Sequence, residues 1–155
     1  MKKSTLTFAI LALVWFPMAW GEDNATMTAP QWLAQADALA GAGKNAEAET
    51  AYQNATQAAP SEAQYPLRLG GFYLSQQRST DAVAQFQRAI GLDSRNAKAF
   101  AALGLAYWHQ GDYALAEAAL AEALQRDANL PETAKLLTKL KEKNSHEKNS
   151  PASPH

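Results

Sequence analysis

Apolar and small side chains along this chain fall into a register that repeats every thirty-four residues. Leu69-Gly70, followed by Tyr73, returns as Leu103-Gly104, followed by Tyr107; a degraded copy, Gln35-Ala36 followed by Leu39, lies one period upstream. Trp32, Pro66 and Phe100 stand three positions before these cores. Downstream come Ala48, Ala82 and Ala116, then Tyr52, Phe86 and Leu120, then Ala55, Ala89 and Ala123, and the units close on Pro60, Ser94 and Ala128. A fixed period of this length predicts paired antiparallel helices stacked as an array, with units at 29–62, 63–96 and 97–130.

The residue types explain the slots. Gly70, Gly104 and Ala36 carry almost no side chain, so the first helix of each unit can be approached closely, and Ala48, Ala82 and Ala116 do the same on the second helix. Tyr52, Phe86 and Leu120 are then the large groups that fill the space. Turn signals separate the helices at Gly41-x-Gly43-Lys44-Asn45 and Gln110-Gly111-Asp112. The middle turn, Gln76-Gln77-Arg78-Ser79, has no glycine and must put a less permissive residue where glycine is favoured. At the start of the array Thr28 is the expected N-cap, with Pro30 in the first turn and Gln31 reaching back.

This register resembles the tetratricopeptide repeat family, whose pattern is W-x2-L-G-x2-Y, then A-x3-F, then P. Gln35, Pro66, Ser94 and Ala128 depart from it, so the third unit matches best and the first least. The resemblance implies an all-α, right-handed α-solenoid of three helix-turn-helix units. It also implies a concave groove lined by the first helix of each unit, holding an extended peptide or a partner helix. By position, Leu67, Arg68, Leu74, Lys98, Ala101, Leu105, Trp108 and His109 would line that groove. Leu67, Leu74, Leu105 and Trp108 stand out because Leu69, Tyr73, Leu103 and Tyr107 already fill the packing slots of the same helices. Trp108 has an alternative place, packed on a C-terminal helix at Leu136 or Leu140. Chaperone-binding members of the family grip a terminal carboxylate with Lys, Asn and Arg. The corresponding slots here hold Leu33, Asp37, Arg68, Lys98 and Ala102; only Lys98 fits, and Asp37 would repel a carboxylate.

Both ends differ from the array. Lys2 and Lys3 precede an apolar run from Leu6 to Trp20, then Ala19-Trp20-Gly21 and acidic Glu22-Asp23. This is the pattern of a secretory signal peptide at 1–21, followed by a short linker at 22–28. The run is shorter than the roughly twenty residues that span a bilayer, which disfavours the rival, an uncleaved N-terminal anchor. With no cysteine in the chain, a lipid anchor of the bacterial lipoprotein kind is excluded. At the other end Ala134, Leu136, Leu137 and Leu140 recur at helical spacing among Lys135, Lys139, Lys141 and Lys143. A capping helix at 131–143 is expected there, closing a domain that spans 29–143, with a disordered tail at 144–155.

Charge and chemistry narrow the function. Cleavage after Gly21 would remove two lysines and leave 12 basic against 15 acidic residues, a balance unsuited to gripping nucleic acid. Absence of cysteine removes disulfides, thiol redox chemistry and thiolate metal sites. His109, His146 and His155 form no ligand pair, and Glu117 and Glu122 lie on different helix faces, so no metal, cofactor or catalytic centre is expected. The sequence therefore reads as an exported, non-enzymatic adaptor or assembly chaperone of a bacterial cell envelope. Periplasmic or secreted, monomeric or weakly self-associated, it would bind another envelope protein. The alternative is a structural protein that forms a homo-oligomer through its own groove or end surfaces.

Overall fold

A computed structural model of the chain describes residues 27–149. The expected signal peptide, nearly all of the linker and the last six residues lie outside the described residues. Among the described residues seven helices follow one another: α1 Ala29–Gly41, α2 Asn45–Ala58, α3 Gln64–Ser75, α4 Ser79–Leu92, α5 Ala97–Gln110, α6 Tyr113–Arg126 and α7 Pro131–Asn149. Among the described residues there is no strand. Each helix packs on the next in sequence, and α3 also touches α5. The odd-numbered helices are thus the first helices of successive units.

The period seen in the sequence is physical. A Cβ added to Gly70 would lie 2.6 Å from the Phe86 ring, and one added to Gly104 would lie 2.6 Å from Leu120 Cγ. Glycine is required at both positions because the two helices of one unit meet there. Ala36, Ala48, Ala82 and Ala116 are fully buried. Polar contacts repeat as well: the Gln53 amide donates to the Tyr73 hydroxyl (3.3 Å), and thirty-four residues on, Gln87 donates to Tyr107 (3.0 Å).

The three turns within units close identically. The N–H groups of Lys44, Arg78 and Asp112 donate to the carbonyls of Leu39, Tyr73 and Tyr107 at 2.9, 2.9 and 3.0 Å. Each closure needs a left-handed residue just before the donor, and φ is 73° at Gly43, 60° at Gln77 and 84° at Gly111. Gln77 takes this conformation without glycine's freedom, at a cost of about 1 kcal/mol. At the N-terminus Gln31 Oε1 accepts from the Thr28 N–H (2.8 Å) and hydroxyl (3.0 Å), as expected for the helix start.

Helix α7 continues the register of a first helix. Thr133, Leu137 and Leu140 are buried at the positions that Ala99, Leu103 and Ala106 occupy one period earlier. Leu137 and Leu140 form a cluster with Ala116 and Leu120 of α6. The helix does not stop at Lys143; it runs to Asn149, so residues 144–149 of the expected disordered tail are helical. Asn144 anchors this extension by donating to Glu117 (3.0 Å), and Lys143 lies over the Tyr113 ring (3.8 Å). No helix among the described residues is long and apolar enough to cross a membrane.

Candidate functional site

Two depressions open between successive odd-numbered helices. The first, of about 310 Å³, lies where α1 meets α3 and is lined by Ala40, Leu67, Arg68, Gly71 and Ser75, with Tyr52 and Phe72 behind. The second, of about 410 Å³, lies between α5 and α7. Ala101, Ala102, Leu105 and Trp108 form one wall, Leu136 and Thr133 the other, Leu120 lies at its back, and Glu132, Lys135 and Lys139 stand along the α7 side.

The residues expected to line one groove are therefore divided. Leu67 and Arg68 belong to the first depression; Ala101, Leu105 and Trp108 belong to the second. Leu74 lines neither and is half-buried against the main core. Lys98 and His109 are exposed on α5 but also line neither, although the His109 ring lies 5.8 Å from that of Trp108. Sequence reasoning did not assign walls to Thr133, Lys135 and Lys139. Their signal was the thirty-four-residue register, which extends through α7.

Trp108 lines the same slot as Leu136 of α7. It is 37 % exposed, so its burial is partial. It faces Leu136 across the slot, leaving a large apolar surface open to solvent.

The first depression has already met its own polar needs. Arg68 pairs with Asp37 at 2.5 Å, and the Tyr52 hydroxyl donates to the same carboxylate at 2.6 Å. Burial, then the hydrogen bond to Asp37 and its charge, push the Tyr52 pKa up to about 12. On α7, Lys135 donates to Glu132 at 2.8 Å, and this bond, with a smaller contribution from Lys139, holds the Glu132 carboxyl below its ordinary range. Among the described residues no group of three or more acidic, histidine or cysteine side chains could hold a metal ion.

Stacked helix pairs in a constant register, with open depressions between their first helices, define a helical-repeat protein of the solenoid class. The sequence profile of the tetratricopeptide repeat matches residues 33–97 and 73–131, and the chain belongs to that family. A search of curated protein sequences returned no significant match. Among solved structures, the tetratricopeptide domain of Sgt2 from Aspergillus fumigatus is similar at TM-score 0.74 and 20% identity, over 82% of this chain and 85% of that one. The first such domain of Spaghetti (RPAP3), bound to an HSP90 peptide, aligns at TM-score 0.72 and 19% identity, over 76% and 94% of the two chains. The second domain of human RPAP3, in complex with an HSP70 peptide, aligns at TM-score 0.68 and 25% identity, over 73% and 94%.

Proposed function

We propose that this protein is a non-enzymatic adaptor that binds a segment of another protein in the slot between α5 and α7. The observation that carries this reading is Trp108, a large apolar side chain left open opposite Leu136 and beside Leu105. Apolar side chains exposed beyond packing needs mark contact sites, and aromatic ones dominate binding energy there. Membership of a family whose solved relatives include peptide complexes supports the same reading. The test is Trp108→Ala, assayed by melting and by crosslinked recovery of a partner from envelope extract. Recovery should fall by about 2 kcal/mol of binding or more, with the melting temperature little changed. Full recovery with the slot truncated would overturn the assignment.

The compartment belongs to the same proposal. The charged start, short apolar run and Ala19-x-Gly21 support export with cleavage before Glu22. Intact mass of the envelope-fraction protein should correspond to a chain beginning at Glu22. A full-length chain released only by detergent would replace export by anchoring.

A further inference from the structure

Charge is divided unevenly along the chain. Residues 27–130 carry seven Lys and Arg against ten Asp and Glu, a balance of −3, whereas 131–149 carry five against three, a balance of +2. The basic segment is α7, the outer wall of the Trp108 slot. Lys135 and Lys139 are exposed along that wall. Lys135 is paired with Glu132, and Lys139 has no carboxylate within 4 Å among the described residues.

The same two positions are not cationic in the equivalent place. The depression between α1 and α3 is the α5–α7 slot displaced by two periods, and there Leu67 and Gly71 stand where Lys135 and Lys139 stand. Conversely, its Asp37 and Arg68 correspond to Leu105 and Leu136. The slot thus has an apolar interior in place of an ion pair, and a side of net positive charge, Lys135 and Lys139 against Glu132, in place of a neutral one. An occupant matching both features needs a bulky apolar group with carboxylates beside it.

Resting on the slot reading above, we propose that the partner segment is acidic and amphipathic. It seats a large apolar side chain against Leu105, Trp108 and Leu136 and sets its carboxylates against Lys135 and Lys139. A free carboxyl terminus is not required, because the charges it meets lie along a helix wall rather than at a closed end.

The test uses the chain purified from cells and three labelled, end-blocked peptides. The first carries glutamates and two leucines one helical turn apart; the second replaces its glutamates by lysines; the third replaces its leucines by alanines. Fluorescence anisotropy should show the first binding about tenfold more tightly than the third, through the loss of apolar burial. Its advantage over the second should fall about fivefold in Lys135→Gln/Lys139→Gln, the scale of two exposed ion pairs, and should shrink as salt is added. Equal binding of the acidic and basic peptides, both lost in Trp108→Ala, would overturn the acidic preference while leaving the slot reading intact. Acidic binding that survives Trp108→Ala would sink both. Two other occupants have their own signatures, and either would overturn the proposal. One is a lysine-dependent dimer by size-exclusion mass. The other is lysine-dependent sedimentation with equimolar phosphatidylglycerol and phosphatidylcholine vesicles that the acidic peptide fails to displace.

Discussion

The two depressions of this solenoid occupy equivalent positions and differ in what fills them. Ala40, Leu67, Arg68 and Gly71 of the first become Trp108, Lys135, Leu136 and Lys139 of the second, two periods later. In the first, Asp37, Arg68 and Tyr52 satisfy one another, so a ligand would have to compete with contacts already made. In the second, the ion pair is replaced by Leu105 and Leu136, and alanine by an exposed tryptophan. One backbone geometry therefore supports a depression whose polar groups satisfy one another and a slot whose apolar wall is left unpaired. The difference lies at positions that the packing of the repeat leaves free to vary.

The largest expected effect comes from disturbing the frame behind the open slot. Leu120 fills the close approach at Gly104 and also forms the back of the slot. In Gly104→Leu, the added side chain meets Leu120 at 2.6 Å and the Ala116 carbonyl at 3.2 Å, and backbone cannot yield as a side-chain tip can. Overpacking should cost about 3 kcal/mol, well beyond the gain of about 1 kcal/mol in helix propensity. Thermal melts followed by far-UV circular dichroism should show a clear drop in midpoint. An unchanged midpoint would contradict the seam geometry.

Next in size is conversion of the apolar slot into the ion-paired one. The double variant Leu105→Asp/Leu136→Arg installs the ion pair that the fold already accepts two periods upstream. Stability should change by less than about 1 kcal/mol, as is usual for partly exposed pairs, while partner recovery should fall by about 2 kcal/mol of binding. Recovery at the wild-type level would mean that the two depressions do not differ in function. Complete unfolding would mean that they are not equivalent in structure.

How far this contrast could be read in the sequence depends on what each position contacts. Gly70, Gly104, Phe86 and Leu120 are legible because a close helix approach accepts few residue types, so the same types return in each unit. The need for a residue at a glycine-favouring position was legible even in Gln76-Gln77-Arg78-Ser79, where glycine is missing; which residue takes it, Gln77, was not. Asp37 and Arg68 were legible as odd occupants of groove positions but not as partners. They are thirty-one residues apart, and no recurring pattern announces a single ion pair. The extension of α7 past Lys143 was hidden for a related reason: its anchor, Asn144 donating to Glu117, joins residues twenty-seven apart and follows no recurring pattern. Leu74, at a groove position, packs against the main core, a contact its apolar type alone does not distinguish from exposure in the groove.

A smaller effect probes the ion-paired depression directly. Burial and Asp37 raise the Tyr52 pKa from 10.0 to about 12. A group whose pKa is raised on folding contributes stability that is fully present below its unfolded pKa and lost as pH rises through the folded value. Unfolding should therefore become easier between about pH 10 and pH 12, in the window set by this shift. In Asp37→Asn the charge is gone, and ultraviolet titration should show Tyr52 ionising at lower pH. Burial still keeps it above the ordinary tyrosine value. A titration unmoved by Asp37→Asn would remove Asp37 from the account and leave desolvation alone.

The smallest expected effect lies in the turn between the two depressions, at Gln77. Its φ of 60° is the left-handed conformation that Gly43 and Gly111 supply at the same point of the neighbouring units. Gln77→Gly relieves about 1 kcal/mol of backbone strain. It also gives the unfolded chain more freedom, which offsets roughly half of that gain. The net should be a stabilisation of about 0.5 kcal/mol, read as a rise of a few degrees in melting temperature. Gln77→Ala keeps the strain and loses only an exposed side chain, so it should leave the midpoint nearly unchanged. The pair of variants separates conformation from contacts, and because Gln77 lines neither depression, partner recovery should be unaffected in both. A fall in the midpoint of Gln77→Gly would show that the turn is held by the glutamine side chain rather than tolerated in spite of it.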